Sequence, residues 1–150
     1  MLSHEIFGTL VRNAPLVSMD LLVRDASGRL LVGLRNNRPA KGSWFVPGGR
    51  ILKDERLDDA FARISKMELG VALARGSAQF MGVHEHLYPD NMLNEPGYGT
   101  HYVVLVYALA LDAEKLRLPR EQHGAYRWIT DAEALADANV HDNTKAYCRG

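Results

Sequence analysis

The chain has 150 residues, of which 47% are hydrophobic, which is enough for one core, and we expect a single domain over residues 1–150. Lysine plus arginine and aspartate plus glutamate number 18 each, so net charge provides no general attraction to nucleic acid or to an anionic membrane. The single cysteine excludes an intramolecular disulfide, no apolar run reaches the roughly 18 residues of a membrane helix, and the first ten residues lack a secretion signal. We therefore expect a cytoplasmic protein with no membrane partner.

Strand-like and helix-like segments alternate along the chain. Strands are predicted at 16–24 and 30–34, joined as a hairpin by the turn-forming residues 25–28, and at 44–46 after a loop rich in proline and glycine. From Arg56 the apolar period becomes that of a helix, which Gly70 should end. Further strands are predicted at 79–87, 101–111 and 126–129, a mobile loop at 88–100, a helix at 132–138 begun by Thr130 or Asp131, and a short helical segment after His141.

Glu68 occupies an unexpected place on the predicted helix. The apolar positions 57, 61 and 64 form one stripe, and position 68 continues it four residues later, where a leucine would be typical. A carboxylate on a core-facing stripe needs a partner. One interpretation is an ion pair with Arg63 or Arg35, and the other is a hard oxygen ligand for Mg²⁺. A single carboxylate indicates a single metal ion.

The segment 49–71 carries a motif of six spaced residues. Gly49, Glu55, Arg63, Glu68, Gly70 and Val71 stand in the order and spacing of the Nudix box, which the segment resembles. The positions that carry further glutamates in most Nudix proteins hold Ile64 and Met67, and an apolar position holds Ser65. The resemblance implies an α+β fold in which a mixed β-sheet is sandwiched between helices.

The departures from the box are themselves a pattern of one Nudix family. The stretches PLVSMDLLV, NRPAKGSWFVPGGR, MELG, THYVVL, EQHGAYRW and NVHDN resemble the GDP-mannose mannosyl hydrolases in order and nearly in spacing. This resemblance implies Mg²⁺-dependent hydrolysis of GDP-mannose, and also of GDP-glucose, to GDP and free sugar, by attack of water at the anomeric carbon with inversion. It also implies one Mg²⁺ per subunit and a homodimer.

The same resemblance assigns roles to single residues. Mg²⁺ would be held by Glu68, the backbone carbonyl of Gly48 and the side chain of Gln122, and His123 would be the general base that accepts a proton from water. Arg35 and Arg50 would contact the phosphates and stabilise the departing GDP, while Asp20, His86 and Tyr102 would bind the sugar or a phosphate. Arg63 would orient the box loop through Glu55.

Three functions stay open at the level of sequence. The first is the glycosyl hydrolase described above. The second is a nucleoside-diphosphate-sugar pyrophosphatase that cleaves the linkage between the phosphates, against which the residues Ile64 and Met67 count. The third is a nucleotide-binding module without catalysis, and without the resemblance the Gln122-His123 pair would be an ordinary polar loop.

Overall fold

The structure is a computed structural model and describes residues 1–119 and 123–149, without the side chain of His123. Its helices are α1 (His4–Asn13), α2 (Leu57–Leu69), α3 (Asp131–Ala136) and α4 (Asp142–Lys145). Its strands are β1 (Leu16–Arg24), β2 (Leu30–Arg35), β3 (Trp44–Phe45), β4 (Gly48–Arg50), β5 (Gln79–Tyr88), β6 (Thr100–Ala110) and β7 (His123–Ile129). Short 3₁₀ turns lie at Arg75–Ser77 and Ala113–Lys115.

The described strands form one mixed sheet with the order β3-β2-β1-β6-β5, to which β4 adds along β1 and β7 along β2. β1 runs parallel to β6, and the other pairs are antiparallel. Helix α2 packs on one face around Phe61 and Ile64. The opposite face packs against α3 and the chain around α4, through residues such as Ala134 and Cys148. The predicted sandwich of a mixed sheet between helices is confirmed.

Helix α2 shows why local sequence suffices for this element. Phe61 and Ile64 are buried at helical spacing, and Gly70 ends the helix in the left-handed conformation with φ 77°. Ser65, the polar residue at a motif position that is usually apolar, is buried but satisfied, because its hydroxyl donates to the carbonyl of Ala62 and accepts from the amide of Leu73.

The structure contains two elements that the sequence analysis did not predict, α1 and β4. Ser3 begins α1 by accepting a hydrogen bond from the amide of Ile6, and Gly8 lets the helix pack closely on Leu93. β4 pairs with β1 through Asp20 and Gly48. Among the described residues, no helix is long and apolar enough to cross a bilayer.

The loop at 88–100, predicted to be mobile, is held together by a buried side chain. The amide group of Asn91 donates to the carbonyls of Glu95 and Tyr98, and its oxygen accepts from the amide of Glu95. Arg12 of α1 adds an ion pair to Glu95 at 3.2 Å. The loop is thus ordered by its own hydrogen bonds and is joined to α1 by an ion pair.

Candidate active site

A cavity of about 600 Å³, counting its open mouth, lies where β1 and β4 meet α2, β5 and β6. Many of the residues assigned from sequence line it: Asp20, Arg35, Gly48, Arg50, Glu68, His86 and Tyr102. Its wall also contains side chains that the sequence analysis did not select, such as Ser18, Phe45 and Tyr88. Residues from distant parts of the chain thus share one concave, polar site.

Strand register brings the polar side chains to one face of the sheet. His86 of β5 pairs with Tyr102 of β6, and Tyr102 pairs with Leu16 of β1. Because alternate residues of a strand share a face, Ser18 and Asp20 point to the same side as Leu16. Asp20, His86 and Tyr102 therefore converge although 82 positions separate the first from the last.

The buried Glu68 lies beside the backbone of β4. Glu68 is 4% exposed, and its Oε1 accepts a hydrogen bond from the amide of Gly48 at 3.2 Å. Gly48 cannot carry a side chain here, since an added Cβ would lie 2.5 Å from the carbonyl oxygen of Met19 and 2.6 Å from Oδ1 of Asp20. The absence of a side chain permits the close approach of β4 to β1.

Arg63 binds Glu55 as the sequence analysis predicts. Its Nε and Nη2 donate to the two carboxylate oxygens of Glu55 at 2.7 and 2.9 Å, and Nη2 also donates to the carbonyl of Arg50 at 2.8 Å. The hydrogen-bonded guanidinium holds the pKa of Glu55 below its ordinary value. This bidentate pair fixes the loop between β4 and α2, and it leaves Arg63 facing Glu55 rather than Glu68.

The two cavity arginines are positioned by other contacts. Arg35 donates from Nε to the carbonyl of Pro39 at 3.0 Å, and its guanidinium lies 5.4 Å from the ring centroid of Phe45. Arg50 lies 5.1 Å from the ring centroid of Phe7 on α1. Arg35 and Arg50 both line the cavity, where their guanidinium groups could bind an anionic ligand.

A hydrogen-bonded network lies at the base of the cavity. The hydroxyl of Tyr147 donates to Oδ2 of Asp20 at 2.6 Å and lies 3.2 Å from Nε2 of His86. Burial raises the pKa of Asp20 to about 7, against the lowering effects of Tyr147 and Arg35. Burial, with smaller contributions from two other histidines, lowers the pKa of His86 to about 4, so its imidazole is neutral near pH 7.

Two assigned residues have side chains outside the described part of the chain. Gln122 lies outside the described residues altogether. The backbone of His123 begins β7 and pairs with Arg35 of β2, next to a residue of the cavity, while its side chain is not described. Their roles as metal ligand and general base stay predictions.

Sequence reasoning missed Tyr147, Tyr88 and Phe7. Tyr147 contacts Asp20 across 127 positions of sequence, and Phe7 reaches Arg50 from the helix that was not predicted. The pKa of Tyr88 rises to about 12 because its phenol is buried in the cavity wall. No local pattern marks these residues, because aromatic side chains at such positions are ordinary core residues.

Comparison with known proteins decides the family. The family model described as the NUDIX domain matches residues 14–149. The chain belongs to the NUDIX family. It is 41% identical over 109 residues, 73% of this chain and 67% of the relative, to the low-salt glycan biosynthesis protein Agl8 of Haloferax volcanii.

Solved NUDIX structures share the fold. The MutT NUDIX hydrolase of Burkholderia pseudomallei is 25% identical with a TM-score of 0.71, and the match covers 91% of this chain and 97% of that one. The MutT protein of Methanosarcina mazei Go1 is 20% identical with the same TM-score, over 91% and 92% of the two chains. The NUDIX domain of Shewanella oneidensis NrtR, complexed with ADP ribose, is 17% identical with a TM-score of 0.63, over 94% and 92%.

The protein is thus a NUDIX hydrolase, an enzyme of a family that acts on small-molecule nucleotides and uses a divalent metal ion such as Mg²⁺. The donor atoms at Glu68 and Gly48 fit such an ion, because a carboxylate and a backbone carbonyl are hard oxygen ligands. Within the described residues, no group of three or more His, Cys, Asp or Glu side chains could hold a metal. An ion at Glu68 would therefore take other ligands from amide, backbone, water or substrate oxygens.

The two NUDIX-box positions without glutamate have different surroundings. Ile64 is 1% exposed and packs against Gly49, where an added Cβ would lie 3.2 Å from the isoleucine Cγ1. Met67 is 50% exposed. Ile64 is a core residue behind the cavity, and Met67 belongs to the surface, so neither supplies a ligand or a base.

Proposed function

We propose that this NUDIX hydrolase cleaves GDP-mannose, and also GDP-glucose, to GDP and free sugar by attack of water at the anomeric carbon. The observation that carries the proposal is the composition of the cavity. Glu68 is the one carboxylate that α2 contributes to it among the described residues, and the polar side chains of Asp20, His86 and Tyr102, which would bind the sugar or a phosphate, line the same cavity. A site that attacks a sugar carbon needs an activated water and a stabilised leaving group more than it needs several metal-bound carboxylates.

The roles of the residues follow from this reaction. Glu68, the carbonyl of Gly48 and Gln122 would hold Mg²⁺, which when bound offsets the negative charge of the diphosphate. Arg35 and Arg50 lie on the wall of the same cavity, where forked guanidinium groups suit phosphate oxygens. These two side chains would bind the diphosphate as its bond to the sugar lengthens.

The proton balance uses His123. The water oxygen forms a bond to the anomeric carbon, and the bond between that carbon and the β-phosphate oxygen breaks. GDP leaves with the electron pair of this bond, and His123 accepts the proton of the water. Backbone pairing of His123 with Arg35 supports a base close to the phosphate-binding wall.

A second candidate is a pyrophosphatase that cleaves between the two phosphates of a nucleotide sugar. Membership of the NUDIX family favours this candidate, because it supports a pyrophosphohydrolase activity. The nature of the residues at 64 and 67 weighs against it, because a buried isoleucine and an exposed methionine provide no base for attack on phosphorus.

The relative from Haloferax volcanii adds support for a sugar substrate. Its name attaches that protein to low-salt glycan biosynthesis. A nucleotide sugar is a chemically reasonable substrate for a relative of such a protein.

NMR of the reaction separates the candidates. The protein is incubated with Mg²⁺ and GDP-mannose in oxygen-labelled water, and the anomeric proton and phosphorus signals are followed. We expect the label in the released sugar and not in GDP, because water attacks the anomeric carbon. The first sugar should be β-mannose, because this attack inverts the configuration at that carbon. GMP with mannose 1-phosphate would establish the second candidate, and binding of GDP-mannose without turnover would indicate a non-catalytic module.

A matched variant tests the base. The His123→Gln substitution should lower kcat by roughly 100-fold while GDP binding stays near normal, because a general base contributes to the transition state only. His4→Gln serves as the control, since His4 is exposed at the start of α1 and is absent from the described cavity wall. Unchanged turnover in the first variant would remove His123 from the mechanism.

We also propose that the chain forms a single domain. Two copies of it would form a homodimer with β5 at the interface. β5 is an edge strand of the sheet, and Phe80, Met81, Val83 and Leu87 on it are 54%, 47%, 58% and 67% exposed. Exposed apolar side chains beside unpaired backbone groups favour pairing with a second copy. Light scattering should give the mass of a dimer, and Val83→Lys should shift it toward a monomer.

A further inference from the structure

Tyr147 reaches the base of the cavity from the far end of the chain. It follows α4, and its neighbours anchor it. Thr144 is fully buried and accepts a hydrogen bond from the amide of Val46, and Cys148 is 5% exposed in the core. The phenol is thus held in place by residues on both sides, three positions before it and one after it. From this position its hydroxyl meets both Asp20 and His86.

Proton counting determines the direction of the hydrogen bonds. A phenol has one proton, and the 2.6 Å distance to Oδ2 of Asp20 is that of a short bond to a carboxylate. An ionised Asp20 can only accept, so Tyr147 donates to it, and the contact of 3.2 Å with Nε2 of His86 must then be a bond in which the imidazole donates. A neutral His86 then carries its proton on Nε2, and Nδ1 is an acceptor.

The other oxygen of Asp20 has a separate position. Oδ1 lies on the side of β4, where it would be 2.6 Å from a Cβ added at Gly48. Asp20 and His86 both line the cavity, whereas Tyr147 is not among the described residues of its wall. The phenol therefore acts on the cavity through these two side chains.

We propose that Tyr147 is a positioning residue of the sugar-binding part of the site, whose hydroxyl orients the Asp20 carboxylate and fixes His86 in the tautomer protonated on Nε2. Both side chains then offer acceptor atoms, as hydroxyl groups of a sugar require. This inference rests on the proposed function for its sugar ligand. The hydrogen-bond relay itself is a property of the free protein.

Loss of the hydroxyl should affect the sugar more than the nucleotide. In Tyr147→Phe the ring stays, but Asp20 loses a donor and Nε2 of His86 loses its acceptor. We expect kcat/KM for GDP-mannose to fall by roughly 10-fold or more, because each unsatisfied buried group adopts new positions that misplace the sugar. Inhibition by GDP, which has no sugar at this position, should change by less than about twofold.

The control substitution removes the same chemistry elsewhere. Tyr98 donates from its hydroxyl to the carboxylate of Glu95 at 3.0 Å, outside the cavity wall. Tyr98→Phe should therefore leave both kcat/KM and GDP inhibition unchanged.

Nitrogen-detected NMR of the histidine side chains supplies a readout that needs no turnover. In the metal-free protein without substrate, at about pH 8 where Asp20 is ionised and His86 is neutral, the native His86 ring, assigned by the loss of its signals in His86→Gln, should show the proton on Nε2. In Tyr147→Phe the signals should move toward a mixture of tautomers, and in Tyr98→Phe they should stay in place.

The outcomes separate this inference from the proposed function. A native His86 protonated on Nδ1, or a folded Tyr147→Phe variant with native tautomer and native kcat/KM, would overturn the role of Tyr147. If Tyr147→Phe does not fold, the tautomer of the native protein still decides. Absence of turnover in the native protein, with the Nε2 tautomer present, would refute the substrate and leave the relay standing.

Discussion

Replacing Asp20 by asparagine should alter the pH dependence of stability in a defined direction. Burial places the pKa of this carboxyl at about 7 in the folded protein, against the ordinary value of 3.8. The folded state therefore binds its proton more tightly than the unfolded state. Asparagine keeps the shape and an oxygen that accepts from Tyr147, but it has no charge to bury.

The sign of the effect follows from this difference in proton binding. A raised pKa makes the group stabilising at low pH, and that stability is lost as pH rises toward 7. Between about pH 5 and pH 8 the native protein should lose roughly 2.5 kcal/mol of unfolding free energy relative to Asp20→Asn. His86 acts in the opposite direction between about pH 4 and pH 6.5, since burial lowers its pKa from 6.5 to about 4, and this histidine is present in both proteins.

The assay is urea denaturation of the metal-free proteins at the two pH values. The quantity of interest is the difference in unfolding free energy between the variant and the native protein at each pH. Asp25→Asn is the control. Burial alone would raise the pKa of Asp25, but hydrogen bonds from Arg29 and Ser27 together lower it below its ordinary value, so this carboxylate stays ionised throughout the range. If the difference for Asp20→Asn does not depend on pH, or changes in the opposite direction, the buried Asp20 carboxyl does not have a raised pKa.

Three further predictions concern the site and the core. Glu68→Gln should raise the Mg²⁺ concentration for half-maximal activity by roughly 10-fold or more, because a neutral amide is a weaker ligand, and a metal titration measures this. Ile64→Glu should lower the unfolding free energy by roughly 3 kcal/mol or more, because it buries a carboxylate, while Met67→Glu at an exposed position should change it by less than about 0.5 kcal/mol in the same urea assay. Gly48→Ala should cost roughly 2 kcal/mol or more, since its Cβ would lie 2.5 Å from a backbone oxygen, whereas Gly76→Ala meets nothing within 4 Å and should be nearly neutral.

Each of these expectations has an outcome that contradicts it. A native Mg²⁺ titration in Glu68→Gln would remove this residue from the metal site. Equal stability losses at positions 64 and 67 would mean that the buried stripe of α2 is misplaced. A Gly48→Ala protein as stable as the native one would show that β4 can move away from β1.

The sequence predicted much of the secondary structure because local patterns carry that information. The predicted strand at 16–24 agrees with β1, and the helix that ends at Gly70 agrees with α2. Helix α1 was missed since its sequence, HEIFGTLVRN, contains Gly8 and several β-branched residues of low helix propensity. Packing of Gly8 and Val11 against the rest of the protein stabilises this helix, and propensity does not register such contacts.

The sequence by itself determined that Glu68 faces inward and that Glu55 and Arg63 share one motif, because residues within one helix and its preceding loop have a fixed spacing. Only the tertiary structure decided that Tyr147 meets Asp20 and His86, and that Ile64 supports the cavity from the core. Strand register and the packing of helices on both faces of the sheet produce these contacts. They join residues up to 127 positions apart, and no periodicity along the chain encodes such a distance.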